Sequence, residues 1–309
     1  MRAPAVALVG PSASGKSALA HTLALEEGGI QILAADAMTV YRHMDVGTAK
    51  PSARERAEVT YHLLDLVEPS EEFSVRRFQR AARDAERATR DAGAVALYVG
   101  GTGLYHRAVV DDLELPGRYP ELRRELEDRV LAEREVLYAQ LVRLDPLAAS
   151  RLEAHNDRRL VRALEVTLGS GRPFSSFGPG LAHYGESRVA QVGLRSDLGT
   201  LDRRLEERLR RWMEEGLLDE VVALAARPGG LGRTARQAVG YRELLRHVEQ
   251  GAPLEQCVRD ALTQSRRLVR RQIAWFRRDP RVEWYDHPGD ARRRLVELVT
   301  GARTFVRDW

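Results

Sequence analysis

The stretch AVALVGPSASGKSALAHTLALEE, residues 5–27, decides the architecture. Ala5 to Val9 is an apolar run that reads as a buried strand, and Gly15 to Glu27 reads as a helix. Between them GPSASGKS, residues 10–17, fits the pattern GxxxxGK[ST] in the strand–loop–helix setting it needs. Gly10, Pro11, Ser12, Ala13, Ser14, Gly15, Lys16 and Ser17 are thus candidate ligands of a di- or triphosphate. The spacing has a physical reason. Glycines let successive backbone N–H groups curl around phosphate oxygens. The helix N-terminus adds partial positive charge. Lys16 brings an ammonium to the outer phosphates, and the Ser17 hydroxyl is placed to bind Mg²⁺.

Outward from this loop the chain alternates strands and helices. Ile30 to Ala35, His62 to Val67 and Ala94 to Val99 read as strands, and Ser74 to Asp91 as an amphipathic helix. Such alternation predicts an α/β fold: a phosphate-loop NTPase-like parallel sheet with helices on both faces. Ligands of such sheets sit at the carboxyl ends of the strands. The pattern changes at DDLELPGRYP, residues 111–120, and mainly helical sequence follows. This predicts a catalytic domain formed by 1–111 and 196–309, interrupted by a helical insert over 112–195. Val189 to Leu194 reads as a strand that returns to the sheet. Later helices are expected over 199–215, 217–226, 234–250 and 254–278.

The 309 residues are enough for a sizeable core. No apolar run is long enough for a transmembrane helix, and the first ten residues lack the pattern of a signal peptide. One cysteine, Cys257, excludes a disulfide framework and a cysteine-cluster zinc site; it reads as a small core residue. A soluble cytoplasmic protein with no membrane partner is expected. Of 49 basic residues only Lys16 and Lys50 are lysines. Where arginine is the default, a lysine marks a place suited to a compact ammonium. Residues 1–150 carry 19 basic and 23 acidic side chains, against 30 and 22 in residues 151–309. The basic second half suits a polyanionic partner.

An ATPase or GTPase normally ends a second strand in an Asp that helps to hold the metal. Here AVALYV runs into Gly100, Gly101 and Thr102 instead. Asp65 and Asp36 are the remaining candidate acids. Asp36 follows the second strand, on the rim that carries the phosphate loop. Its position alone leaves two roles open: a base for an incoming nucleophile, or a cap for a helix starting at Ala37. Lys50 likewise fits either a substrate contact or a structural ion pair.

The ordered series GPSASGKS (10–17), ADAMTVYRHMDVGTAKP (35–51), YHLLDLVEPSEEFSVRRF (61–78), VGGTGLY (99–105) and HNDRRLVRALEV (155–166) continues with GRPFS (171–175). DRRLEERLRRWMEEGLLDEV (202–221), RQAVGYRELL (236–245) and RRQIAWFRRD (270–279) complete it. In these segments the chain closely resembles the bacterial tRNA dimethylallyltransferases, also called tRNA isopentenyltransferases. The resemblance implies transfer of a dimethylallyl group from dimethylallyl diphosphate to N6 of an adenosine. That adenosine lies 3′ of the anticodon in tRNAs that read codons starting with U. The reaction uses Mg²⁺, releases pyrophosphate and consumes no ATP. Asp36 is implied as the base, with Ser17 and Arg208 assisting at the diphosphate. Asp36, Ala37, Met38 and Thr39 are implied to line the pocket for the adenosine. Thr102, Arg123, the segment Arg158, Arg159, Leu160, Val161 and Arg162, and the segment Gln237, Ala238, Val239, Gly240, Tyr241 and Arg242 are implied tRNA contacts. The insert is implied to grip the anticodon stem of the tRNA, and a monomer is expected.

Two positions depart from the family pattern, Ala37 where Ser is usual and Thr39 where Gln is usual. Two other functions are consistent with the phosphate loop alone: prenyl transfer to free adenine nucleotides, and a kinase or ATPase. The helical insert and basic second half argue against the first. The missing strand-terminal Asp argues against the second.

Overall fold

Alternation within each strand builds the sheet. In β1 (Ala5–Val9) every residue is buried: Ala5 and Ala7 belong to one core cluster, Val6 and Leu8 to another. Covering both faces of a sheet makes its strands uniformly apolar, as the sequence of β1 already shows. The computed structural model describes residues 5–153, 155–178 and 180–307. Among these, β2 (Ile30–Ala34), β3 (Tyr61–His62), β4 (Val95–Gly100), β5 (Val189–Leu194) and β6 (Val282–Tyr285) join β1 in the order β3-β2-β4-β1-β5-β6. All the pairings are parallel, and Val9 is level with Gly100 on one side and Gly193 on the other.

The helices in chain order begin with α1 (Lys16–Glu27), α2 (Ala53–Glu58), α3 (Val75–Asp91) and α4 (Gly103–Val110). The insert contributes α5 (Pro120–Leu144), α6 (Pro146–Ser150) and α7 (Asp157–Ser170). Then come α8 (Leu198–Glu214), α9 (Leu217–Ala226), α10 (Tyr241–Gln250), α11 (Leu254–Phe276) and α12 (Pro288–Arg307). One face of the sheet packs Ala20 and Leu23 of α1 and Ala291, Leu295 and Val299 of α12. The other packs Phe78 of α3, Tyr105 of α4, Leu224 of α9, Leu244 of α10 and Cys257 of α11. Each such large side chain contributes roughly 1.5–3 kcal/mol by burial. No helix among the described residues is long and apolar enough to cross a membrane.

The chain divides into a unit of residues 1–111 with 186–309 and a second unit of residues 112–185. The sequence places the insert's two boundaries at 112 and 195. The second lies before the expected 195, because Val189–Leu194 is β5 and hydrogen-bonds along the whole of β1. The smaller unit has its own core of Leu126, Val130, Leu137, Leu141, Leu160, Val161 and Leu164. Within it Asn156 caps α7, accepting from Arg159 N at 3.2 Å.

Two other expectations are corrected. The strand predicted over 62–67 stops at His62, because Leu63 and Asp65 adopt φ of 67° and 55°. Leu66 N then bonds Val40 O at 2.7 Å, so the segment pairs with the loop after β2. The helix predicted over 234–250 is broken at Gly240, whose φ is 94°. A short 3-10 turn, Ala235–Gln237, precedes it. Glu243 accepts from Gly240 N at 2.9 Å and starts α10 afresh at Tyr241.

Candidate active site

Three loops meet the carboxyl ends of neighbouring strands: 10–15 after β1, 35–50 after β2 and 101–102 after β4. In the first, Gly10 has no room for a side chain, since a Cβ would lie 2.5 Å from Leu194 O. Gly15, at φ 94°, turns the chain into α1. Lys16 Nζ donates to Pro11 O at 3.3 Å, and among the described residues no carboxylate lies within ion-pair distance of it. Its pKa is lowered to about 8, mainly by burial and further by Arg208, while Asp36 opposes the shift.

Arg208 lies on α8, one turn beyond Arg204, whose Nη1 donates to Ala13 O at 3.3 Å. That contact sets the helix against the phosphate loop. The Arg208 guanidinium stacks 4.5 Å from the Trp212 ring centroid, and its Nε has no hydrogen-bond partner. Burial first, then Arg211, lowers its pKa to about 10, with Asp36 opposing. The Ser14 hydroxyl is also buried without a partner. Buried donors are nearly always satisfied, and two unmet ones beside an uncompensated lysine describe a receptor for an anion.

Asp36 follows Ala35, whose carbonyl approaches β4 so closely that a Cβ on Gly100 would lie 2.1 Å from it. Asp36 Oδ1 accepts from Met38 N at 2.8 Å, and Thr102 Oγ1 accepts from Ala37 N at 3.1 Å. The capping role is realised on a turn only, for no helix starts at Ala37. One carboxylate oxygen thus orients the loop, and the other makes no hydrogen bond among the described residues. The structure brings Lys16, Arg208 and Asp36 within electrostatic reach of one another. Thr39 is buried, and its hydroxyl has no partner.

Lys50 resolves as an ion pair. Its side chain is 1% exposed, and Nζ meets Asp65 Oδ1 at 2.6 Å and Asp45 Oδ1 at 2.7 Å, with Tyr41 O as a further acceptor. Asp65 also bonds Arg56 at 2.6 Å, which engages both its oxygens. No group of three or more His, Cys, Asp or Glu among the described residues could hold a metal ion. Ser17, exposed in the first turn of α1, offers one hydroxyl. Such a site fits a Mg²⁺ that keeps its waters and takes most of its ligands from a diphosphate.

The remaining expected contacts divide. Within the large unit, Gln237 and Arg242 are exposed, whereas Ala238, Gly240 and Tyr241 are buried. The Tyr241 hydroxyl donates to Glu220 Oε1 at 2.5 Å. Burial and that carboxylate hold its pKa well above the usual phenol range. Glu220 also accepts from Asp45 N, Val46 N and Gly47 N at 2.8, 2.9 and 3.4 Å. Glu220 therefore pins the loop after β2, and Tyr241 holds the Glu220 carboxylate in place. Within the smaller unit, Arg158 and Arg159 are exposed, but Leu160 and Val161 are each 1% exposed and form its core. Their side chains are corrected from contacts to packing. Arg123 and Arg162 both pair with the buried Glu165, at 3.2 and 2.9 Å.

Sequence reasoning missed Glu220 and Gln272. Gln272, on α11, accepts from Ser12 N at 2.8 Å and donates to Gly101 O at 3.1 Å. The Ser12 amide, expected at the diphosphate, is thus occupied by protein.

The profile of the IPP transferase family matches residues 39–279. A tRNA dimethylallyltransferase of Kocuria rhizophila is 45% identical over 286 residues, 92% of this chain and 90% of that protein. One from Kineococcus radiotolerans is 44% identical over 309 residues, 96% of each. The crystal structure of a full-length tRNA isopentenylpyrophosphate transferase from Bacillus halodurans superposes with TM-score 0.69 and 32% identity, over 99% of this chain and 98% of that one. Profile, relatives and solved structure agree, and the chain belongs to the IPP transferase family.

Proposed function

We propose that this protein transfers a dimethylallyl group from dimethylallyl diphosphate to N6 of the adenosine 3′ of the anticodon, in tRNAs reading codons that start with U. The observation that carries the reading is the pair of unmet buried donors, Ser14 Oγ and Arg208 Nε, beside the half-buried Lys16 and the Asp36 carboxylate. An anion receptor and a carboxylate side by side suit a reaction that expels a polyanion while a nucleophile loses a proton.

In this reading the C1–O bond of the substrate breaks and pyrophosphate leaves with the bonding pair. N6 bonds to C1, and the free oxygen of Asp36 takes the N6 proton. Lys16, Arg208, Ser14 and the amides at the start of α1 take up the charge that grows on the leaving group. The Ser17 hydroxyl would hold a Mg²⁺ that arrives with the diphosphate, and that ion would supply further positive charge to the leaving group. Asp36, Ala37, Met38 and Thr39 receive the adenine, with Thr102 holding Ala37 N. An anticodon-loop base leaves its stack at lower cost than a paired one. Exposed Arg158, Arg159, Gln237 and Arg242, and the ion-paired Arg123 and Arg162, lie on segments that meet the tRNA. The smaller helical unit grips the anticodon stem. We place the enzyme in the cytoplasm as a monomer, where its substrate is.

The test is incorporation of label from dimethylallyl diphosphate into unmodified tRNA in the presence of Mg²⁺. Wild-type protein should label the tRNA. Asp36→Asn should lose ~10²–10⁴-fold in turnover while binding tRNA normally. Label in free AMP but not in tRNA refutes the reading.

A further inference from the structure

Gln272 and Trp275 stand three residues apart on α11, and so project from one face of the helix. That face lies on the turn Gly101–Thr102–Gly103. A Cβ on Gly101 would come 2.5 Å from Gln272 Nε2, and one on Gly103 would come 2.2 Å from the Trp275 indole. The two glycines of the turn are therefore explained by α11. Gln272 itself is 8% exposed, with both ends of its amide engaged: Oε1 on Ser12 N at 2.8 Å, Nε2 on Gly101 O at 3.1 Å. A glutamine amide carries both functions, so it accepts from one backbone group and donates to another.

The two loops it joins have different jobs. One holds Lys16; the other carries Thr102, which accepts from Ala37 N beside Asp36. Pairing of Val9 with Gly100 fixes the strand ends, but beyond those residues β-ladder bonds no longer tie one loop to the other. Gln272 supplies the tie. We infer that Gln272 is a positioning residue: it sets the separation between the diphosphate-holding loop and the turn that orients Asp36, and so between leaving group and base. The inference rests on the prenyl-transfer reading for its catalytic consequence, but the loop-to-loop tie can be read without it.

The tie makes particular demands on replacements. Gln272→Met keeps the volume and loses both hydrogen bonds. Gln272→Glu keeps the acceptor for Ser12 N, loses the donor to Gly101 O and places a charge behind the phosphate loop. Protonation of that glutamate restores a donor. Misplacement of reacting groups by about 1 Å costs on the order of 10²-fold in rate. The full-length variants should therefore show kcat lowered ~10–100-fold at saturating substrates, with tRNA affinity within about twofold of wild type. Relative to wild type at each pH, Gln272→Glu should regain activity as the pH falls, whereas Gln272→Met should not. A role in packing alone lowers thermal stability in both variants and leaves kcat per folded enzyme near wild type.

Inorganic pyrophosphate titration gives the second readout. Gln272→Glu should bind it at least about tenfold more weakly than wild type. A kcat within twofold of wild type for both variants overturns the inference. So does a loss confined to tRNA affinity, which makes Gln272 a tRNA contact. If wild-type protein transfers no prenyl group, the reading of the reaction fails. The tie is then judged on pyrophosphate alone, and unchanged affinity in Gln272→Glu refutes it.

Discussion

Raising the pH from about 7 to about 9 should loosen the grip on inorganic pyrophosphate, because Lys16 loses its proton in that interval. In the free protein its ammonium titrates at about 8, burial being the main cause. A bound diphosphate faces that ammonium and holds the proton. If only the charged form binds, apparent affinity falls about tenfold across the two pH units, or ~1.4 kcal/mol. Binding should take up about half a proton near pH 8 and about nine-tenths near pH 9. Calorimetry in buffers of different ionisation enthalpy measures that uptake directly. Lys16→Arg is the control, since its guanidinium stays charged throughout and leaves only the titration of the ligand itself. The same shift affects folding. The unfolded lysine titrates near 10.5 and the folded one near 8, so charged Lys16 costs the ligand-free protein about 3 kcal/mol below pH 8. That cost fades as the pH rises from about 8 to 10.5, so Lys16→Met should unfold at higher urea than wild type below pH 8. Absence of proton uptake at pH 8–9, or an equal loss of affinity in Lys16→Arg, would refute this account of the site.

Arg208→Gln should lower kcat by ~10²–10³, because its unpaired Nε meets charge that grows on the leaving group; steady-state kinetics with saturating tRNA measures this. Tyr241→Phe should leave tRNA affinity unchanged, since the phenol is buried on Glu220, while Glu220→Ala should cost ~1–3 kcal/mol in urea unfolding through its orphaned backbone donors. A several-fold weaker tRNA complex in Tyr241→Phe would restore a direct contact. Arg159→Ala should reduce the slope of log affinity against log salt by about one. Leu160→Ala should instead destabilise the helical unit by ~2–5 kcal/mol and leave that slope unchanged.

What the sequence revealed follows from where the signals lie. The sheet was legible because strands covered on both faces are apolar throughout, and the phosphate loop names its own setting. The place of Asp36 was legible because it ends a strand next to that loop, while its role was left open by position alone. The strand over 62–67 was misjudged because its break is imposed from afar. Leu63 and Asp65 turn to positive φ, and the Asp65 carboxylate meets Lys50 and Arg56. The helix over 234–250 was misjudged because Gly240 sits inside an otherwise helical pattern. Leu160 and Val161 looked like part of an arginine-rich contact, yet their apolar character at helical spacing already pointed inward. Glu220 and Gln272 had no local signal. Each is one polar residue on a helix, and its partners are backbone groups far away in sequence. The available hint was the pair of glycines in GGTG facing a Gln and a Trp at i, i+3.

The bond from Ser12 to Gln272 joins residues 260 positions apart. This bears on synthesis. Ribosomes extend a chain at about 5–20 residues per second, so the phosphate loop waits on the order of tens of seconds before its anchor exists. β1 also waits for β5, its neighbour on one side, and for α12, which packs beneath it. A nascent chain therefore carries a recognisable phosphate-binding sequence long before it carries a phosphate-binding site. The anchoring bond forms only after α11 leaves the ribosome, and a chain truncated before Gln272 would lack that bond at its phosphate loop.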